Sequence, residues 1–454
     1  MRGGLLGLAL VCTLLAGGAA VVPTVARAAE EDVASTWLAA DQPELVAPSA
    51  FLVESSTGTV LLDKEADARR EPASTTKVMT ALLAIENLDL DAQVSVEEAD
   101  FDEVTADSSV AGLVAGETLS VRDLLACLML PSGNDASYVL ARAVAGDWRT
   151  FVDMMNERAA ELGCTGTHFA NPCGLHDDAH YTTARDLATI FSAAMAYPDF
   201  VEIAGAATWD LPATSGNPAR TLTNSNLLIN PMSSLYMDGT VVAGKTGTTG
   251  DAGRCLVVAA SGEDIDVIGV VLGVPFEAVD EEGVGQNFYD MRSLVEWGLA
   301  AWRTGEIVSP GDALGTAGVT LSEEGDSVQA LAAAGASGTV PREMTLGDLT
   351  LTPAWEGTDP ETGAFQAPIE EGQALGMVDV SLGERWIANL PVVAARSLEL
   401  SIPAYVMWWL SDPVHAGIVA ASFVGLCLVV GLISSLVSRR RRRRRSVGSR
   451  HLRM

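Results

Sequence analysis

From Gly417 to Val437 the chain reads GIVAASFVGLCLVVGLISSLV, a stretch without a single charge. Such a run is long enough to cross a bilayer, and in lipid it must be a helix, because no water is present to satisfy free backbone N–H and C=O groups. The span is placed at residues 414–438. The arginines Arg439 to Arg445 follow at once, and a basic cluster beside a span is retained on the cytoplasmic side. Residues 439–454 are therefore expected inside and the body of the protein outside. A nucleic-acid-binding tail would explain the arginines but not the apolar run that precedes them.

The opposite end agrees. MRGGLLGLALVCTLLAGGAAVVPTVARAAEED has a basic start, an apolar stretch and small residues before a polar segment, the pattern of a secretory signal peptide. It is assigned to residues 1–28, with cleavage after Ala28. A retained membrane helix is the alternative, and the Ala-Arg-Ala step into AEED argues against it. Between leader and span all 59 acidic residues face only 17 of the 28 basic ones. A body that acidic excludes nucleic acid and anionic lipid as partners reached through its general field.

Outside the leader and the span, the cysteines are Cys127, Cys164, Cys173 and Cys255. In an oxidising compartment four thiols allow three pairings. Cys127 and Cys255 stand in apolar runs that suit buried thiols, and Cys164 with Cys173 is the pair to test first.

Residues 48–303 mix strand and helix patterns, which predicts an α/β (α+β) fold. AFLVESSTGTVLLDKEA reads as two strands about a Thr-Gly turn, and STTKVMTALLAIENL as a helix behind Pro72. Helical spacing recurs in VRDLLACLML, NDASYVLARAVA and FVDMMNERAAELG; RCLVVAASG and DVIGVVLGV read as buried strands, and FYDMRSLVEWGLAAW as a closing helix. From residue 304 to 400, short apolar runs and frequent turn signals predict a small all-β domain. Trp408 and Trp409 then precede the span, where interfacial aromatics anchor.

The chain has only three lysines, Lys64, Lys77 and Lys245. Arginine stays protonated in proteins, whereas a desolvated lysine can be tuned to act as a base, so lysine is required where a proton must move. In PASTTK, Ser74 and Lys77 stand three residues apart and share one face of a helix. Ser74 also lies near the helix N-terminus, where free N–H groups stabilise developing negative charge. That is a nucleophile beside its base, although an ordinary helix start carries the same letters. LPSGNDAS places Ser132, Gly133 and Asn134 in a turn before a helix, which a plain N-cap also explains. GKTGTTGDAG puts Lys245, Thr246 and Gly247 ahead of a predicted strand, where the plain reading is a polar loop.

With their order and separations, these motifs and HFANPCGLHDDAHYTTARDLATI give the chain its resemblance to the serine-type D-alanyl-D-alanine carboxypeptidases, the low-molecular-mass penicillin-binding proteins. The resemblance covers most of residues 48–303, and APIEEGQALGMVDV resembles the β-rich domain that follows in that family. It implies a β-lactamase/transpeptidase-like domain with a central antiparallel sheet flanked by helices. It further implies that Ser74 accepts the acyl group, that Lys77 is its base, and that Ser132 relays a proton to the leaving D-alanine. Asn134 would hold the peptide, Lys245 with Thr246, Gly247 and Thr248 would bind the substrate end, and the N–H groups of Ser74 and Thr248 would form the oxyanion hole. The implied partners are a peptidoglycan pentapeptide, β-lactams and the cytoplasmic membrane, with no cofactor. His168, His176 and His180 raise a zinc reading, against which a structural loop beside the active site is preferred. One departure stands out: VPFEAVDEEGVGQNFYD lacks the arginine that relatives place after the last core strand, leaving the terminal carboxylate to Lys245, Thr246, Thr248 or Arg254.

Two rival readings are a β-lactamase of the same fold and a non-catalytic wall-binding scaffold. The first needs a loop glutamate to activate water, and the sequence offers no convincing one. The second leaves the intact motifs unexplained.

Overall fold

The computed structural model describes residues 42–448 apart from residue 107. The leader expected at residues 1–28 lies outside the described residues. The first elements among the described residues form a hairpin, β1 (Ser49–Glu54) and β2 (Val60–Lys64). A single 3-10 turn, Ala73–Thr76, leads into α1 (Lys77–Asn87). A two-stranded ribbon, β3 (Gln93–Ser95) and β4 (Thr118–Ser120), precedes a helical layer of α2 (Val121–Met129), α3 (Asn134–Ala145), α4 (Trp148–Glu161), α5 (Ala184–Met195) and α6 (Pro198–Gly205). A second ribbon, β5 (Thr208–Leu211) with β6 (Arg220–Thr223), is followed by three long strands, β7 (Val241–Thr249), β8 (Gly253–Ser261) and β9 (Asp266–Val274), and by α7 (Gln286–Ala301).

The main sheet runs β2-β1-β9-β8-β7 and is antiparallel throughout. The hydrophobic runs of β8 and β9 are buried on both faces, because helices cover both. One core joins the sheet to the helical layer through Leu82, Leu124, Phe151, Phe191 and Val257. The other joins it to α7 through Leu52, Leu256, Met291 and Leu294. Each leucine so buried contributes about 1.5–3 kcal/mol relative to an exposed one. The first eight residues of α1, Lys77 to Ala84, are all buried, as expected of a helix that is apolar all round. That placement carries the Lys77 side chain into the interior.

β10 (Trp302–Val308) opens a β-rich region containing β11 (Ala313–Thr320), β12 (Ser327–Ala332), β13 (Ala336–Pro341), β14 (Thr350–Trp355), β15 (Phe365–Gln366), β16 (Ala374–Leu382) and β17 (Arg385–Ala394). Six of these strands form a sheet in the order β14-β16-β17-β12-β11-β15, and β10 pairs with β13. Their core, from Ile307 to Leu398, is a separate hydrophobic cluster. Polar contacts tie this region back to the first hairpin: Thr57 and Thr339 hydroxyls meet at 2.8 Å, and Arg385 donates to the Thr59 hydroxyl at 2.9 Å. The last elements among the described residues are α8 (Ile402–Ser411) and α9 (Pro413–Gly448). Within α9, Pro413–Arg441 is long and apolar enough to cross a membrane.

The cysteine expectation needs correction. Cys164 and Cys173 are both free, as are Cys127, Cys255 and Cys427. The thiol of Cys164 faces the Asp186 carbonyl, whereas that of Cys173 faces Tyr138 and Asn171. Separation along the chain by nine residues says nothing about which way two side chains point.

Candidate active site

The Ser74 side chain stands on the 3-10 turn just before α1, not on the helix proper. The i, i+3 relation survives, since side chains at that spacing eclipse in a 3-10 turn. Lys77 Nζ donates to Ser74 Oγ at 2.9 Å, to Asn134 Oδ1 at 2.7 Å and to the Cys173 carbonyl at 2.8 Å. Lys77 is fully buried (0% exposed). Burial lowers its pKa to about 8, against the opposing pull of Asp135 and the Cys173 thiol. A neutral amine here keeps two N–H donors for Asn134 and Cys173 and turns its lone pair to the serine hydroxyl.

Ser132 takes a left-handed conformation with φ 62°, uncommon for a residue other than glycine and found where a site imposes it. Its Oγ is buried without a hydrogen-bond partner among the described residues. Gly133 caps α3 and Asn134 opens it; the Asn134 amide donates to Ser108 Oγ at 3.0 Å. The turn is secured by Asp135, whose carboxylate accepts from the backbone N–H groups of Ala111, Leu113 and Ala136.

The third motif lies inside a strand, which corrects the expectation that it precedes one. Lys245, Thr246, Gly247 and Thr248 all belong to β7, at the edge of the main sheet. A Cβ on Gly247 would stand 2.9 Å from the Pro72 carbonyl and 3.0 Å from the Thr75 nitrogen, so glycine is what lets this strand lie against the Ser74 turn. Lys245 is 1% exposed and its Nζ donates to the Thr246 carbonyl at 2.8 Å. Burial, reinforced by nearby Lys77, pushes its ammonium well below the usual lysine range. An anion placed beside it would favour the charged form again. The Thr246 hydroxyl meets Ser225 Oγ at 2.7 Å.

Arg254 sits on β8 directly opposite Thr248. Its guanidinium carbon lies 4.8 Å above the Phe276 ring, and its Nε donates to the Phe276 carbonyl at 3.2 Å. A cation from β8 thus reaches the segment after β9 that has no basic residue of its own.

No residue-type signal marks the Cys173 carbonyl as a Lys77 acceptor. Asn171 shapes that turn by accepting from the N–H groups of Cys173, Gly174 and Leu175. The three histidines do not converge. His168 Nδ1 meets the Ala179 carbonyl at 2.6 Å, and buried His180 lies between the Thr76 hydroxyl and the Ala170 N–H. His176 is partly exposed beside Glu71. Lys64, the remaining lysine, donates to the Leu45 carbonyl at 2.8 Å.

Comparison with known proteins places these features in a family. A family model described as D-alanyl-D-alanine carboxypeptidase (peptidase S11) matches residues 36–275. The D-alanyl-D-alanine carboxypeptidase of Streptomyces sp. strain K15 is 37% identical over 247 residues, covering 52% of this chain and 83% of that protein. Escherichia coli DacC is 31% identical over 382 residues, covering 81% of this chain and 88% of that protein. Among solved structures, penicillin binding protein 5 of Haemophilus influenzae superposes with a TM-score of 0.57 at 26% identity, covering 79% of this chain and 98% of that one. The matched stretch holds Ser74, Lys77, Ser132, Asn134 and the Lys245–Thr248 strand together, and the chain belongs to the D-alanyl-D-alanine carboxypeptidase family, the low-molecular-mass penicillin-binding proteins.

Proposed function

We propose that the chain is a membrane-anchored serine-type D-Ala-D-Ala carboxypeptidase that removes the terminal D-alanine from peptidoglycan pentapeptides. The observation that carries this reading is the triple anchoring of Lys77 Nζ by Ser74 Oγ, Asn134 Oδ1 and the Cys173 carbonyl. In its neutral form Lys77 takes the Ser74 proton as Oγ attacks the penultimate carbonyl. The oxyanion is held by the N–H groups of Ser74 and Thr248, in the setting where preorganised donors lower the barrier most. Collapse breaks the amide bond, and the proton that Lys77 took is relayed through Ser132 to the leaving D-alanine, which returns Lys77 to its neutral form. Water then attacks the Ser74 ester, with Lys77 again accepting the proton, and regenerates the serine.

Asn134 orients the peptide, while Lys245, Thr246 and Thr248 bind its terminal carboxylate, with Gly247 letting β7 close on Ser74. Arg254 supplies the second cation, a role supported by its place opposite Thr248 and over Phe276. β-Lactams acylate Ser74 as mimics of the same dipeptide. Residues 48–303 form the catalytic domain, and residues 304–400 a β-rich domain between it and the single span. The catalytic domain lies outside the cytoplasmic membrane, with residues 439–454 inside.

Release of free D-alanine from a pentapeptide by the full chain in detergent tests the reading. Stoichiometric release per cleaved peptide, lost in Ser74→Ala, is expected. Rapid turnover of a β-lactam would favour a β-lactamase instead, and binding of wall fragments without D-alanine release would favour a scaffold.

A further inference from the structure

Beside the Ser74 site, three side chains from three distant segments meet at the surface. His176 Nδ1 stands 3.0 Å from Glu71 Oε1 and 3.9 Å from Asp251 Oδ2. One donor atom from each of the three lies within 4.8 Å of the other two. Donors bound at about 2.0–2.2 Å to one tetrahedral zinc ion stand about 3.3–3.6 Å apart, so the two observed separations bracket that value. No large movement is needed to close the set.

A second feature points the same way. Asp178 Oδ1 lies 3.9 Å from the other imidazole nitrogen, Nε2. That is too long for a hydrogen bond, but the carboxylate stands on the far side of the ring, where a side-chain rotation would let it accept the Nε2 proton and fix the tautomer, as happens in metal-bound histidines. An open cleft of about 320 Å³, lined by Glu71 and Asp251 among others, adjoins the group. It offers an entry path and room for water to complete the coordination.

The three donors also share a geometric role. Glu71 precedes Ser74 by three residues, His176 follows Cys173 by three, and Asp251 stands in the turn between β7 and β8. Each segment therefore carries one part of the site: the nucleophile, the carbonyl that holds Lys77, and the Lys245 strand. We propose that Glu71, His176 and Asp251 bind one divalent transition-metal ion of the zinc class, clamping together the three segments that frame Ser74. Imidazole with two carboxylates suits such an ion better than magnesium or calcium, which prefer all-oxygen ligands. Two anionic donors also match its charge.

The test uses the metal-stripped, tag-free full chain in detergent micelles, with ZnCl₂ as the probe. Bound zinc after equilibrium dialysis and the melting midpoint are both read. One bound ion removable by His176→Ala, and a rise of about 5 °C at hundredfold excess over half-saturation, are expected. Glu71→Gln and Asp251→Asn, which keep side-chain shape, should each weaken zinc binding at least tenfold, while His168→Ala leaves it unchanged. Penicillin labelling without zinc verifies that each variant is folded. A wild-type chain that takes up no zinc, or a His176→Ala chain that binds it as tightly as wild type, overturns the proposal. Equal shifts with MgCl₂ or CaCl₂ at the same concentrations overturn the choice of ion.

Discussion

A Cβ built on Gly174 would stand 1.9 Å from the carbonyl oxygen of Ala73, the residue that precedes the nucleophile. Gly174 has φ +89°, a conformation in which side chains are strained as well as obstructed here. The turn that offers the Cys173 carbonyl to Lys77 is thus pressed against the turn that offers Ser74, and only glycine permits the contact. Gly174→Ala is expected to slow acylation by a fluorescent penicillin at least tenfold and to lower the melting temperature. Wild-type labelling with unchanged melting would mean that the two turns separate without consequence.

The pH profile follows from the Lys77 base. Its pKa is lowered to about 8 by burial, and in the proposed mechanism the reactive form is the neutral amine, so activity is expected to rise with pH. At pH 7 about one molecule in ten carries that form. The acylation rate constant should therefore climb close to tenfold per pH unit below 7 and level off above about 8.5. A profile flat from pH 6 to 9 would exclude Lys77 as the group that limits proton transfer.

The two buried lysines differ in what an arginine can replace. In the proposed mechanism Lys245 bears a charge toward a carboxylate, for which arginine supplies a permanent cation, whereas Lys77 exchanges its proton, which arginine does not do. Lys77→Arg should abolish acylation, while Lys245→Arg should leave a measurable rate, weakened chiefly in KM. Rates measured against pH for both variants decide the matter, and equal losses would mean that Lys245 also moves protons.

How far such a site is legible from sequence depends on what each part is made of. The i, i+3 spacing brings Ser74 and Lys77 together in an α-turn or a 3-10 turn alike, so that pair could be read directly, as could the apolar runs of β8 and β9. Lys245 to Thr249 looked like a loop because its polar residues carry little hydrophobic signal; pairing with β8 and packing on the Ser74 turn overrode local preference. The Cys173 carbonyl is a backbone group and leaves no residue-type mark. Gly174 gives no sign of its obstacle, since Ala73 lies about a hundred residues away. Long separations along the chain likewise hide the meeting of Glu71, His176 and Asp251, whereas Cys164 and Cys173 are close in sequence and it is the direction of their side chains that residue type does not mark.

His180 gives an acid-stability prediction with a definite sign. Its Nδ1 accepts from the Ala170 N–H, so Nε2 carries the proton offered to Thr76. Burial lowers its pKa to about 4 from an ordinary 6.5. The unfolded state then binds more protons between these values; the stability is fully present above about pH 6.5 and lost as pH falls toward 4. Acidification from pH 6.5 to 5 should cost about 2 kcal/mol from this residue alone. Denaturant melts of wild type and His180→Gln across that range measure it, and parallel slopes would assign the acid loss to other groups.

Topology is tested at the chain's two ends. On the proposed topology a cleaved leader would send the mature chain outward, the apolar part of α9 would stop transfer, and Arg439 to Arg445 would remain inside. External protease applied to cells stripped of their wall should then remove the penicillin-labelled body and leave a short membrane fragment bearing the arginine tail. Truncation after Leu400 removes α8 and α9 while leaving all three hydrophobic cores intact, since their last buried member is Leu398. The truncated chain should therefore be secreted as a soluble protein that still binds penicillin. Recovery of that fragment in the membrane pellet after a high-salt wash would reveal a second attachment, with an uncleaved leader as the first candidate, and would overturn the single-span arrangement.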